Sequence, residues 1–155
     1  MEQQDIRWKQ RFQNFDKVFH RLDEAMRILS LDPDNFLLQA GIIQIYESTF
    51  ELAWKTLKDY LDAEGFTTPS PKATLRQAFQ SGYIQDGDLW LKALNDRNLT
   101  SHTYDDVIAM EVIRDIQGHY FYLLKDLHEW LRTQQNHSYR SSSMSYLTSQ
   151  SVIRI

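Results

Sequence analysis

A short polar run between two apolar segments carries an arginine and a histidine separated by four residues. The run extends from Asn95 to Asp105, and its reactive members are Arg97, His102 and Tyr104. A histidine that is neutral near pH 7 can accept a proton from a ribose 2′-hydroxyl group. An arginine can hold the phosphate that this oxygen attacks. Together these two side chains would be sufficient for metal-independent cleavage of RNA.

This chemistry requires Arg97 and His102 to approach the same phosphate, which a straight helix would prevent. Five residues along an α-helix correspond to a rotation of about 140° between two side chains. We therefore predict that the helix carrying Arg97 ends near that residue and that the Asn-Leu-Thr-Ser stretch separates it from His102. A new helix capped by Thr103 would then begin just after His102, and the free N–H groups of its first turn favour a bound phosphate.

The spacing alone does not select this pair, because the sequence contains the R-x4-H pattern three times. The other two copies pair Arg114 with His119 and Arg132 with His137. The second copy is predicted to lie inside a continuous helix, where its side chains diverge. The third copy lies where the last helix is expected to give way to a polar tail, and no packed element there would fix the positions of its side chains. The copy between two packed helices is therefore the candidate site.

Apolar residues recur at spacings of three and four, which predicts amphipathic helices. Proline and glycine residues mark the ends of these helices. We expect helices at about residues 4–29, 35–64, 70–82 and 86–97, and a long last helix from about residue 103. The second helix carries two apolar stripes, so we expect it to be central. The predicted fold is all-α, an antiparallel up-and-down bundle of about five helices.

The composition changes after residue 132. The last segment is rich in glutamine, asparagine and serine, and it has neither an acidic residue nor a helical period. We expect residues 1–132 to form the bundle domain and residues 133–155 to form a non-helical, flexible tail outside the core.

The overall composition excludes several kinds of protein and site. With 42% hydrophobic and 13% aromatic residues and no cysteine, the chain is globular and has no disulfide or thiolate metal site. A net charge of −4 argues against a general nucleic-acid binder, although a local site can still meet a few phosphates. A polar N-terminus and the lack of a long apolar run favour the cytoplasm and no membrane partner.

The histidines outside the candidate motif show no sequence grouping of the kind that forms metal sites. No cysteine accompanies them, and they are scattered along the chain: His20, His119, His128 and His137. We therefore predict no structural metal and no cofactor.

The run from Arg97 to Asp105 (RNLTSHTYD) resembles the signature of the HepT-like family in the HEPN superfamily, whose members are often called nucleotidyltransferase substrate-binding proteins. Further agreement is found at residues 50–61, at the Thr-Pro turn of residues 68–69, and at Trp90. The likeness covers about residues 8–131. The glycine-serine and paired-aspartate motifs of a nucleotidyltransferase are absent, so the chain looks like the partner of such an enzyme.

The resemblance implies a helical bundle that forms a homodimer, with the two motifs meeting at the interface. It also implies a ribonuclease toxin that acts on RNA and is neutralised by a cognate minimal nucleotidyltransferase antitoxin. That antitoxin adds AMP to the motif tyrosine, which is Tyr104 here. By position, Arg97 and His102 are the implied catalytic pair, and Asn98 would orient the arginine or the phosphate.

Each of these residues also has a simpler interpretation. His102 could be a surface or capping residue, Arg97 could stabilise a helix C-terminus, and Tyr104 could pack at a helix start. Glu51 and Lys55 either form weak ion pairs on a solvated face or support the site from a neighbouring helix. For the protein as a whole, the alternatives are a non-catalytic adaptor for a minimal nucleotidyltransferase and a plain helical dimerisation protein.

Overall fold

The computed structural model describes residues 2–102 and 105–153, with side-chain surroundings as far as residue 140. These residues form helices without any strand: α1 Glu2–Leu31, α2 Phe36–Ala63, α3 Pro71–Gln80, α4 Gly87–His102, α5 Asp106–Asp115, a π-helical turn Ile116–Tyr120, and α6 Phe121–Ile153. Because α5, the π-turn and α6 follow one another without a gap, they count as one long helical run. The predicted all-α bundle of about five helices is confirmed.

Helix α2 is the centre of the bundle, as its two apolar stripes predicted. It contacts each of the other five α-helices and packs most extensively on α1. The α1 residues that recur at spacings of three and four are buried: Trp8, Phe12, Phe15, Phe19, Leu22, Ala25 and Leu29. The short turn between the helices ends at Asn35, whose Oδ1 caps α2 by accepting a hydrogen bond from Leu38 N at 3.1 Å.

The shorter helix α3 begins as its sequence predicted. Ser70 is the N-cap, with its Oγ accepting a hydrogen bond from Ala73 N at 3.1 Å, and Pro71 is the first helical residue. After this helix, Gly82 adopts a φ of +79°, in the left-handed region that glycine enters without strain. The chain can therefore reverse direction and enter α4 against α2.

Helix α4 is longer than predicted, and the break expected between Arg97 and His102 is absent. The polar residues that were expected to end the helix instead bond back to it. Thr100 Oγ1 shares its one proton between Arg97 O at 3.1 Å and Glu47 Oε1 on α2 at 2.8 Å, and Ser101 Oγ donates to Asn98 O at 3.0 Å. These bonds satisfy the hydroxyl groups inside the helix, so the backbone stays helical as far as His102.

The next helix begins later than predicted, and its cap is not Thr103. Thr103 and Tyr104 lie outside the described residues, and α5 begins at Asp106. Its N-cap is Asp105, whose Oδ1 accepts hydrogen bonds from Val107 N at 2.8 Å and Ile108 N at 3.4 Å. A carboxylate suits this position because the free N–H groups and the positive end of the helix face it.

The non-helical tail expected after residue 132 is wrong, because α6 continues to Ile153. Gln134 Oε1 accepts a hydrogen bond from the Tyr60 hydroxyl at 3.4 Å, and Ser138 Oγ accepts one from Lys9 Nζ at 2.6 Å. Polar side chains here meet other helices by hydrogen bonding, so an apolar period could not reveal the helix. A domain boundary at residue 132 and flexibility beyond it remain predictions.

None of the helices in the described part of the chain combines the length and apolar character that crossing a membrane requires. The buried core is a single aromatic and aliphatic cluster to which α1, α2, α3, α4 and the α5–α6 run all contribute. Two buried tyrosines link this core to α4: the Tyr46 hydroxyl donates to Ala93 O at 2.9 Å, and the Tyr120 hydroxyl donates to Asp96.

We predict that Tyr46→Phe lowers the free energy of unfolding by about 1 kcal/mol, because it removes a buried hydrogen bond while keeping the ring. Urea denaturation measures this change. The matched control is Tyr122→Phe, which alters an exposed tyrosine and should shift stability by less than about 0.5 kcal/mol. Equal effects of the two substitutions would show that the α2–α4 hydrogen bond is not stabilising.

Candidate active site around Arg97

The face of α4 that carries Arg97 packs against two glutamates of α2. Arg97 Nη2 donates to Glu51 Oε2 at 2.9 Å, and Thr100 Oγ1 donates to Glu47 Oε1 at 2.8 Å. Glu47 and Glu51 are four residues apart on α2, and the donors Arg97 and Thr100 are three residues apart on α4. Each pair therefore spans about one helical turn, and the two contacts lie side by side along the helices. They fix the rotation of the C-terminal half of α4 about α2.

Glu51 is the acceptor for three donors. Besides Arg97, Trp54 Nε1 donates to its Oε2 at 3.0 Å, and Lys55 Nζ lies 3.1 Å from its Oε1. Partial burial acts to raise the pKa of Glu51, but the hydrogen bonds from Trp54 and Lys55 and the charge of Arg97 together hold this pKa below its usual value. The carboxylate is therefore ionised at neutral pH and anchors the guanidinium group.

The guanidinium group of Arg97 is half-buried and fixed on two sides. Its Nη1 donates to Asn98 Oδ1 at 3.2 Å, while Nη2 is held by Glu51. Its Nε is buried and has no hydrogen-bond partner among the described residues. The structure thus brings together four of the residues selected from the sequence: Arg97, Asn98, Glu51 and Lys55. Asn98 contacts the arginine, and its expected role in orienting the arginine or the phosphate remains a prediction.

His102 does not meet Arg97 within the chain. It is the exposed last residue of α4, whereas the prediction placed it in a loop before the next helix. On a continuous helix the two residues are about 7.5 Å apart along the axis and about 140° apart around it. The prediction that the Arg97 and His102 side chains of one chain converge on the same phosphate is therefore wrong. Tyr104, the expected AMP acceptor, lies outside the described residues.

All three copies of the R-x4-H pattern are helical, although the second runs from α5 into the π-turn, and the first and third differ in what their arginines contact. In the first copy, Arg97 contacts the Glu51 carboxylate on α2, and His102 is the last residue of α4. In the third copy, Arg132 lies near Asp16 on α1 instead. The first copy is thus the one whose arginine is joined to a polar network on α2.

A second network, which the sequence did not reveal, holds the other side of α4. The hydroxyl group of Tyr120, in the π-turn, donates to Asp96, and its ring stacks on Tyr46 with the ring centroids 5.8 Å apart. Burial and the neighbouring Asp96 carboxylate raise the pKa of Tyr120 far above its ordinary value, so it stays a donor. The extra residue of a π-turn shifts the helix register, and no apolar period indicates it.

A basic cleft opens beside the motif, between α3 and α4. Its volume is about 320 Å³, and Asn98 lies on its wall. Lys72 and Arg76, one turn apart on α3, are exposed at this cleft, and neither forms an ion pair with another described residue. These two cations could receive phosphate groups next to Arg97. No spacing in the sequence links them to the motif, because they come from a different helix.

A separate polar cluster joins α1 to α6, although the sequence showed no grouping of histidines. Asp16 Oδ1 lies 2.6 Å from His128 Nε2 and 3.2 Å from His20 Nε2. These three residues could hold a metal ion, which corrects the expectation that no such grouping exists. Burial lowers the pKa of His128, and the charge of Arg132 adds to this effect, although Asp16 opposes it.

Comparison with known proteins identifies relatives over most of the chain. Residues 10–133 match the family described as nucleotidyltransferase substrate binding protein like. The probable ribonuclease HepT of Haemophilus influenzae is 38% identical over 84 residues, which make up 51% of this chain and 58% of that protein. This match therefore spans little more than half the length of that curated relative.

Solved structures share the fold. A Thermus thermophilus protein has a TM-score of 0.68 and 32% identity, covering 76% of this chain and 98% of the other. A Haemophilus influenzae protein described as having the fold of a substrate-binding domain of a nucleotidyltransferase has a TM-score of 0.69 and 30% identity, with coverages of 78% and 98%.

A more distant structure shows the same fold at 15% identity. It is a tri-AMPylated Shewanella oneidensis HEPN toxin in complex with an MNT antitoxin, with a TM-score of 0.66 and coverages of 81% and 96%. The family match over residues 10–133 and the two nearer structures agree with the resemblance carried by the motif. The chain therefore belongs to the family described as nucleotidyltransferase substrate binding protein like.

Proposed function

We propose that this protein is a metal-independent endoribonuclease, the toxin of a toxin–antitoxin pair, and that Arg97 and His102 cleave the RNA. The observation that carries the proposal is the position of Arg97. Its guanidinium group is fixed by an ionised carboxylate and by Asn98, five residues before an exposed histidine at the end of the same helix. The name of the Haemophilus influenzae relative, a probable ribonuclease, supports the same reaction class.

The proposed reaction uses His102 as a general base and Arg97 as an electrostatic stabiliser. The imidazole ring accepts the proton of a ribose 2′-hydroxyl group, and the resulting oxygen attacks the adjacent phosphorus atom. The bond from phosphorus to the 5′ oxygen breaks, and this oxygen takes up a proton from water as it leaves. Arg97 faces the phosphate oxygens, on which negative charge grows during the attack.

We propose further that the site is formed between two copies of the chain. Arg97 and His102 point in different directions on one helix, so His102 of a second copy would have to supply the base. Large apolar side chains are exposed near the motif, which supports a covered surface there. They are Leu99 on α4, Val107 and Met110 on α5, and Phe36 and Leu37 on α2.

The basic cleft between α3 and α4 is the proposed path of the RNA backbone. Lys72 and Arg76 line it together with Asn98, which contacts Arg97. Local positive charge of this kind can bind a few phosphates although the net charge of the chain is −4. We place this activity in the cytoplasm, where an RNA substrate and a cysteine-free protein are both expected.

The proposed regulator is a cognate minimal nucleotidyltransferase that adds AMP to Tyr104. This role follows from the resemblance of the motif run to the HepT-like family. Tyr104 is two residues from His102, so an added adenylate would place a bulky group and a negative charge beside the general base. Such a group would repel the RNA phosphate and block the site.

A second candidate function is a non-catalytic adaptor that binds substrate for a nucleotidyltransferase. The solved Haemophilus influenzae structure described as a substrate-binding domain favours it. In that case the ion pair between Arg97 and Glu51 would be structural, and His102 would be a surface residue. The two functions differ in whether the purified protein cleaves RNA by itself.

We predict that the purified protein cleaves total cellular RNA in the presence of EDTA and that His102→Ala slows this cleavage by about 10²–10⁴-fold, the usual contribution of a general base. Gel analysis of the RNA measures the rate. His119→Ala and His137→Ala, which change the histidines of the other two motif copies, are the matched controls and should cleave normally. Intact RNA with all four proteins would contradict the ribonuclease proposal and leave the adaptor function.

We predict that Glu51→Gln lowers kcat by about 10- to 100-fold with little change in KM, because Arg97 loses the carboxylate that positions it. Steady-state cleavage of a short RNA measures both constants. Glu129→Gln, which changes an exposed glutamate on α6, is the control and should keep the normal kcat. A normal kcat in a folded Glu51→Gln protein would show that the ion pair does not serve the reaction.

A further inference from the structure

The polar cluster between α1 and α6 has the donor set of a metal site. Asp16 and His20 are one turn apart on α1, and His128 comes from α6. The Nε2 atoms of both histidines lie close to the same carboxylate oxygen, at 3.2 Å for His20 and 2.6 Å for His128. One ligand atom from each of the three residues lies within 4.8 Å of the other two.

The surrounding side chains hold His128 in a fixed orientation. Its ring stacks on Phe19 with the centroids 4.6 Å apart and also contacts Phe12 and Phe15 at 5.4 and 5.7 Å. His128 is only 2% exposed, so its ring cannot turn away without disturbing the core. By contrast, Asp16 is partly exposed and His20 is exposed, which leaves the cluster open to solvent on one side.

We propose that Asp16, His20 and His128 form a binding site for one divalent metal ion, with Zn²⁺ as the best chemical match. Two imidazole nitrogens and one carboxylate oxygen are ligands that Zn²⁺ favours, and water would fill the fourth position. Zinc–ligand bonds of about 2.0–2.1 Å in a tetrahedron place the ligand atoms about 3.3 Å apart. The distance between Asp16 and His20 is already close to this value, and a small rotation of the Asp16 side chain would widen its distance to His128.

Arg132 is the positive group that faces this cluster. Its Nη2 lies 3.6 Å from Asp16 Oδ1, so the guanidinium group neutralises the carboxylate and competes with a cation. Because Arg132 is about half exposed, it can turn into solvent when an ion binds. Removal of this charge should therefore strengthen metal binding.

A bound ion would tie the first helix of the bundle to the last. The cluster involves α1 and α6, whereas Arg97 lies on α4 and its anchor Glu51 lies on α2. The site therefore stabilises the fold and does not take part in RNA cleavage. It is independent of the proposed function, and neither proposal depends on the other.

The test is titration of tag-free protein with Zn²⁺ by calorimetry and with Co²⁺ by visible absorption, where a tetrahedral site gives strong bands. We expect one ion per chain and a rise in Tm with Zn²⁺, since a ligand that binds only the folded state stabilises it. The variants are His20→Ala and Asp16→Asn, which change accessible residues and leave the buried His128 in place. His119→Ala removes an exposed histidine elsewhere on the surface and is the matched control.

Removing a residue that hydrogen-bonds to a metal ligand typically weakens metal binding about 10- to 100-fold. His20→Ala and Asp16→Asn change a ligand itself, so each should lower the Zn²⁺ affinity at least that much. His119→Ala should bind normally, and Arg132→Gln should bind about two- to five-fold more tightly, the scale of one exposed charge. Equal Zn²⁺ affinity of His20→Ala and the unchanged protein would overturn the proposal, as would the absence of any binding. All of these variants should cleave RNA as the unchanged protein does.

Discussion

The ion pair between Arg97 and Glu51 connects the polar motif to the helical bundle. A guanidinium group on α4 meets a carboxylate on the central helix α2, and the same carboxylate accepts hydrogen bonds from Trp54 and Lys55. The aromatic core fixes α2, and α2 in turn fixes the rotation of α4. The packing of α2, far from the motif, therefore sets the direction in which the Arg97 side chain points. It also sets the direction of His102, which projects from a different face of α4.

The opposite side of α4 is fixed by a tyrosine pair. The Tyr46 hydroxyl donates to the backbone of α4, and Tyr120 donates to Asp96, so the helix is held by α2 and by the π-turn at once. Beyond these contacts the helix continues unbroken to His102, and Thr100 is bonded to Glu47 on α2, so a break that brought Arg97 and His102 together would have to disrupt that contact. This rigidity is the physical reason for placing the second half of the site in another copy of the chain.

Much of the fold could be predicted from the sequence, because apolar spacing reports burial directly. The stripe of α1, the central position of α2 and the cap at Ser70 follow from local rules. The extent of α4 could not be predicted, because Thr100 and Ser101 can either end a helix or bond back to it, and tertiary contacts decide. Likewise, the polar part of α6 has no apolar period.

The site residues were predictable only where a motif exists. Arg97, Asn98, Glu51 and Lys55 were selected and lie together, whereas Tyr120, Lys72 and the cluster of Asp16 with His128 come from helices other than α2 and α4 and were missed. A contact between residues that are far apart in the chain produces no recognisable pattern of spacing in a single sequence. A paired carboxylate one turn from Glu51 was the one available signal for Glu47.

The most direct test of the central claim, a ribonuclease site shared between two copies, is complementation between Arg97→Ala and His102→Ala. The two inactive proteins are unfolded together, refolded and assayed for RNA cleavage. In a symmetric dimer one site of each mixed pair regains both residues, so the mixture should recover about a quarter of the normal rate. No recovery in a mixture that has formed mixed dimers, alongside an active unchanged protein, would contradict the shared site.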